Sequence, residues 1–170
     1  IALKAKYLFL EEDEYSLMPN VSFRSALKFP TGSKKDLIGS GEYDFGVGVI
    51  ADKSFFKRIC FYSGASVVFI KKPSFFSALD MKKEIYSGMI GAEYFFTSRF
   101  SMIAQITGNS TPYPSSETNA LDNYALDFGL GVNYRFKEKE NVSWHFAFTE
   151  NLKAASSADI SFDTGFNVGF

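Results

Sequence analysis

His145 is the only histidine of the chain, and alternate spacing puts it on the same strand face as Ser143, with Asp127 in the preceding segment. These are the residue types of a hydrolytic triad: a hydroxyl nucleophile, an imidazole base and an orienting carboxylate. The spacing argues against that chemistry. Residues two apart along a strand stand about 6.5–7 Å from one another, too far for the hydroxyl–imidazole hydrogen bond the reaction needs. No catalytic residue is assigned, and no enzymatic activity is expected.

Cys60 is the only cysteine. It cannot close an internal disulfide, and with a single histidine the chain has no metal-ligand spacing. Cys60 therefore reads as a small packed residue. Phosphate-binding and calcium-binding loops are also missing from the sequence, so neither cofactor nor metal is expected. The formal charge of −1, from 18 basic and 19 acidic residues, gives no basic excess to recognise nucleic acid.

What remains is a set of charged residues at alternating positions. Lys4, Lys6, Arg24, Lys28, Arg58 and Arg135 are set against Glu42, Asp44, Glu93, Asp127 and Asp163. A ring of one sign would select permeating ions by charge. A balanced set forms cross-strand ion pairs that fill or narrow the space between them. The second role is the one expected, with permeation as the alternative. The candidates to face a lumen are Arg24, Lys28, Asp44, Arg58, Glu93, Asp127, Arg135 and Asp163.

The elements that must position these groups are strands. Residues 124–136 place Tyr124, Leu126, Phe128, Leu130, Val132, Tyr134 and Phe136 on one side, and Asp127, Gly129, Gly131, Asn133 and Arg135 on the other. Such a period of two is the strand pattern; at helical spacing the two sets would mix. The alternation recurs over 20–30, 42–51, 58–70, 84–97, 99–108, 142–150 and 159–170, and more weakly over 2–10. The apolar sides of these segments carry no charge. An Arg or Lys at mid-bilayer on a barrel's lipid face costs about 2–4 kcal/mol, so a membrane barrel must keep that side clean.

The connections alternate in length as well. With the C-terminus on the periplasmic side, the long stretches 31–41, 71–83, 109–122 and 150–158 become outer loops. The short ones, 52–57, Thr97-Ser98 and 137–141, become inner turns, and 11–19 is long for its side. Tyr43 and Tyr124 fall toward the outer rim. Tyr94, Phe96, Phe100, Tyr134, Phe136, Trp144 and Phe170 fall toward the inner one, as aromatic girdles would. Aromatic residues make up 18% of the chain, 20 of them Phe, while mean hydropathy stays near zero. No apolar run approaches the ~18 residues of a membrane helix.

A soluble β-sandwich or lipocalin-like barrel would share the alternation, with its apolar side turned inward. Long uninterrupted strands, glycine-rich polar sides and aromatics at strand ends favour the membrane. The expected fold is all-β, an antiparallel transmembrane β-barrel in the bacterial outer membrane, with 1–170 a single domain. Nine segments conflict with the even strand number of single-chain bacterial barrels. Either 19–170 close alone with eight strands, or the chain supplies the C-terminal eight to nine strands of a barrel of about twelve. The start Ile-Ala-Leu-Lys, without a signal peptide, favours the second.

Two stretches carry a family resemblance. The run Ile-Ser-Phe-Asp-Thr-Gly-Phe-Asn-Val-Gly-Phe at 160–170 resembles the C-terminal signature of Gram-negative outer-membrane barrels. There a terminal Phe with alternating apolar residues is read by the barrel-assembly machinery. Phe170, Val168, Phe166, Phe162 and Ile160 match, and Thr164 interrupts the series. Lys28-Phe29-Pro30-Thr31-Gly32, Gly39-Ser40-Gly41 and Asp44 resemble an element of uncharacterised outer-membrane barrels and of relatives associated with the meta-pathway of phenol degradation. That resemblance covers 20–50 and implies passage of small, hydrophobic molecules, with no catalytic residues. Physically, Pro30 lacks an N–H and ends a ladder, and the glycines permit a tight loop.

The expected partners are the lipid bilayer, the assembly machinery and a small-molecule solute, with no nucleic acid. The expected role is a passive channel. A plugged structural or adhesive barrel acting through its outer loops is the alternative, and a membrane-embedded hydrolase a distant third.

Overall fold

A computed structural model of the chain describes residues 1–31, 41–72, 81–113, 124–136, 142–153 and 160–168. Nine strands form one antiparallel sheet: β1 (Ala2–Leu10), β2 (Asn20–Lys28), β3 (Asp44–Phe55), β4 (Ile59–Phe69), β5 (Glu84–Phe95), β6 (Phe100–Asn109), β7 (Ala125–Arg135), β8 (Val142–Lys153) and β9 (Ile160–Val168). Each strand pairs with its neighbours in sequence, in the order β1 to β9. The described residues contain no helix. The sheet is open, because β1 and β9 are not paired with each other. The alternative in which 19–170 close as eight strands is not what forms. The edge of β2 that closure would need is occupied by β1, from Ala2↔Lys28 to Leu10↔Val21.

The strands contain nine to twelve residues. At about 3.3 Å per residue and a barrel tilt near 40°, that length spans the ~25 Å apolar band of outer-membrane barrels. Connections alternate about the sheet. The 11–19, Phe56–Arg58, 96–99 and 136–141 segments join strands at one end, and 29–43, 70–83, 110–124 and 154–159 at the other.

Two boundaries differ from the sequence pattern. β3 runs on through Asp52, Lys53 and Ser54 to Phe55, so the turn shrinks to Phe56–Arg58. β8 runs through Glu150 to Lys153, past a register shift between Leu126 and Asp127 on β7. Both extensions are polar and resemble turns in composition, yet their backbones stay in the ladder, as in Asp52↔Tyr62 and Ser54↔Cys60. The short turn is closed by Arg58 N–H donating to Phe55 O at 3.0 Å. Phe56 and Lys57 sit at φ 53° and 55°. Positive φ at both central residues is the mirror-image hairpin turn that suits strand twist, here built without the usual glycine.

The 11–19 connection is tied down. Ser16 N–H donates to Asp13 O, Glu12 N–H to Asn20 Oδ1 at 2.9 Å, and Ser54 N–H to the Glu12 carboxylate at 3.0 Å. Lys53 Nζ donates to Asp13 O at 2.7 Å and lies 3.5 Å from Glu12 Oε2. The Ser54 N–H, with Lys53 beside it, holds the Glu12 carboxyl below its ordinary range. At the other end, Pro30 stops β2: Thr31 N–H donates to Phe29 O at 2.8 Å across it. Gly41 takes φ 60°, while Gly32, Gly39 and Ser40 lie outside the described residues.

Candidate functional site

Register sorts the side chains onto two faces. One carries Phe23, Val49, Ala65, Gly88 and Gly108 in a single lateral row, and Tyr7, Phe45, Val67, Ile90, Ile106, Phe128, Leu130 and Phe162 around it. No apolar side chain is buried among the described residues; Ile90 is 62% and Phe162 72% exposed. The buried side chains are Ser22 and Ser101, both on the opposite face.

The apolar face is free of charge between its ends. Lys53, Glu84, Glu150 and Lys153 share its phase but stand within four residues of the ends of their strands. Lys53 is drawn off toward Asp13 and Glu12, and Glu84 accepts from the Tyr86 hydroxyl. Rings cluster at the short-turn end. Tyr94 meets Phe96 at 4.8 Å, Phe96 meets Phe100 at 5.6 Å, and Tyr134 meets Phe136 at 5.4 Å between centroids. Lys153 covers Tyr124 at the long-loop end, 4.3 Å above its ring.

The polar face is the candidate site. Of the expected charged residues, Lys28 and Asp44 form an ion pair of 2.6 Å at the long-loop end. Asp44 also accepts from Lys71 N–H at 3.4 Å, joining β2, β3 and the segment after β4. Asp163 accepts from His145 Nε2 at 2.8 Å, and Asn167 faces His145 Nδ1 at 3.5 Å. The imidazole lies over Gly165, where an added Cβ would come 2.8 Å from its Cε1. Asp127 does not reach His145; it accepts from Asn151 Nδ2 at 2.9 Å. The Thr164 hydroxyl donates to His145 O at 3.0 Å rather than to the ring.

Glu93 accepts from Ser101 Oγ and from Asn133 Nδ2, reaching across β6. Asp52 accepts from Asn20 Nδ2 at 2.8 Å. Glu93, Asp127 and Asp52 are thus satisfied by amides and hydroxyls, whereas the ion pairs among the described residues of this face gather at the long-loop end, where Lys71 stands 3.1 Å from Glu42 beside Lys28–Asp44. The reason is register. Lys4, Lys6, Arg24 and Lys28 all fall on β1 and β2, while Glu93, Asp127 and Asp163 fall on β5, β7 and β9. Arg58 closes the Phe56–Arg58 turn at the end of the wall, its carbonyl still accepting from Phe95 N–H at 2.8 Å. Arg135 ends β7 and shares a cavity of about 140 Å³ with Glu93, Ser143 and Asn167. Counting formal charges missed Asn20, Gln105, Asn133 and Asn151. Strand parity puts Asn20, Gln105 and Asn133 on this face, whereas Asn151 falls in the stretch expected as a loop and reaches it only because β8 runs on to Lys153.

On β9, Phe166 pairs with Trp144 and Val168 with Val142, both on the apolar face. Phe170, the third residue of the expected assembly signal, lies outside the described residues. A family model matches residues 3–170 of the chain, nearly its whole length. The chain belongs to the family described as protein of unknown function, DUF3187. No curated protein matches this DUF3187 chain. All nine strands of the sheet lie almost wholly within the stretch that the DUF3187 family shares.

Proposed function

We propose that the sheet is wall of a bacterial outer-membrane β-barrel, and that its polar face lines a lumen through which small solutes pass passively. The observation that carries this is the distribution of exposure. Rings and aliphatic side chains stand exposed along one face, and no apolar core exists among the described residues. A soluble sandwich must bury such a face against a second layer. A barrel in lipid needs the opposite arrangement, apolar outward and polar inward. The uncharged middle of the apolar face, the rings at strand ends and the alternating connection lengths support the same reading.

Open cavities along the polar face support passage rather than a plugged wall. Two polar-face hollows along β1–β6 measure about 480 and 280 Å³ and are floored by Gly46, Gly48, Gly64 and Ser66. Planar-bilayer recording of the full-length folded protein tests the proposal. Discrete conductance steps are expected; a folded, inserted and silent protein would count against a channel.

A further inference from the structure

We infer that the polar face of β1 to β6 holds a binding site for small oxyanions, carboxylate or phosphate, with Lys4, Lys6 and Arg24 as its cations. The site rests on the reading of this face as a water-filled lumen. Lys6 and Arg24 are direct cross-strand partners. Like charges in that position repel, and Lys4 adds a third cation two residues along β1. No carboxylate lies within ion-pair distance of any of the three among the described residues.

The surrounding charges are already satisfied. Toward the long-loop end Lys28 is held by Asp44 at 2.6 Å. Toward the other end Asp52 shares a hollow with Lys6 and accepts from Asn20 Nδ2 at 2.8 Å. The three cations between them have no carboxylate paired to them among the described residues.

The same lateral row supplies neutral donors. Arg24 pairs with Gly48, Gly48 with Ser66, Ser66 with Ser87, and Ser87 with Asn109. Two adjoining cavities follow this row. One, of about 480 Å³, is lined by all three cations, and the other, of about 280 Å³, by Arg24 with Ser66, Ser87 and Asn109. No Asp or Glu lines either one. Guanidinium and ammonium groups over hydroxyl and amide donors, with glycine leaving the floor open, match the geometry of oxyanion recognition. Cations lining a pore also favour anion passage.

The test uses the full-length protein folded in detergent, titrated calorimetrically with inorganic phosphate and separately with succinate. Saturable binding of at least one is expected, identifying phosphate or carboxylate as the preferred group. The K4Q/K6Q/R24Q protein should bind at least about tenfold more weakly. Arg24→Gln alone should weaken binding several-fold and serves should the triple variant not fold. Lys57→Gln, which removes one charge in the exposed Phe56–Arg58 turn, should leave binding unchanged. Failure of both anions to bind, or binding indifferent to Arg24→Gln, overturns the site. In bilayers under a salt gradient, an anion-selective reversal potential lost in K4Q/K6Q/R24Q supports it. Conductance steps without anion preference and without binding remove the site and leave the channel. Specific binding by a silent barrel removes the channel and leaves the site.

Discussion

Tyr62 donates its hydroxyl to Gln105 Oε1 at 3.1 Å although the two residues stand on β4 and β6, with β5 between them. Gly91 makes this possible. It pairs with Tyr62 on one side and with Gln105 on the other, and a Cβ there would lie 2.5 Å from the Tyr62 Cζ and Oη. With no side chain on the intervening strand at this point, the two polar side chains meet over it. Glu93 and Asn133 also meet over β6, there past the small Ser101, whose hydroxyl donates to Glu93 as well. The polar face is held by bridges that skip a strand, which stiffens a sheet whose other face has no protein layer to pack against.

Gly91→Leu should therefore destabilise the fold. The side chain would displace the Tyr62 ring and break its bridge, an overpacking effect of about 1–3 kcal/mol. Tyr62→Phe, which removes the hydroxyl alone, should cost about 1 kcal/mol. Both are measured as shifts in the urea midpoint of the folded, heat-modifiable band on a detergent gel. Equal midpoints for Gly91→Leu and the parent protein would remove the packing account of this glycine.

Two adjacent residues on β6 should respond oppositely to the same change. Ile106 pairs with Ile90 and Phe128 on the apolar face, whereas Thr107 pairs with Met89 and Asp127 on the polar one. Ile106→Arg should destabilise by about 2–4 kcal/mol in a bilayer, and Thr107→Arg by under about 1 kcal/mol. Refolding titrations into phospholipid vesicles measure both. Since Ile106 is already exposed, a sheet facing water would tolerate Ile106→Arg, and equal tolerance of the two variants would contradict a lipid-facing surface.

Acid should loosen the 11–19 connection first. The folded carboxyl of Glu12 is depressed by the Ser54 N–H and by Lys53. A depressed acid contributes stability above its unfolded value and loses it as pH falls through the folded one. The contribution is thus full above about pH 4.5, the ordinary value, and fades below it. Because the group is well solvated, the effect is modest and screened by salt. The stability difference between the parent protein and Glu12→Gln should shrink toward zero as the pH is lowered from about 6 to about 3. A constant difference across that range would refute the link.

Much of this architecture was legible in the residues themselves. The run from Leu126 to Tyr134 alternates without a break, and β7 followed from it directly. The far end of β3 did not. Asp52-Lys53-Ser54 has turn composition, and only tertiary partners, Asn20 for Asp52 and Asp13 with Glu12 for Lys53, keep it in the ladder. The polar face was legible by parity but not by pairing. Formal charge suggested ion pairs, and Lys28–Asp44 is one, but lateral register put Lys4, Lys6 and Arg24 side by side and left Glu93, Asp127 and Asp52 to amides. No sequence pattern announces a Tyr62–Gln105 contact across a third strand. It depends on the registers of β4, β5 and β6 together.

Trp144 offers the most direct test of the central claim, that the apolar face lies against lipid. It is the only tryptophan of the chain. It stands on that face near the short-turn end, between Tyr134 and Phe166 in register, with its Nε1 donating to Thr164 Oγ1 at 2.9 Å. In vesicles of brominated phospholipid, its fluorescence should be strongly quenched, most by bromines set shallow in the acyl chain, and only weakly by aqueous iodide. Emission untouched by brominated lipid and freely quenched by iodide would contradict the account.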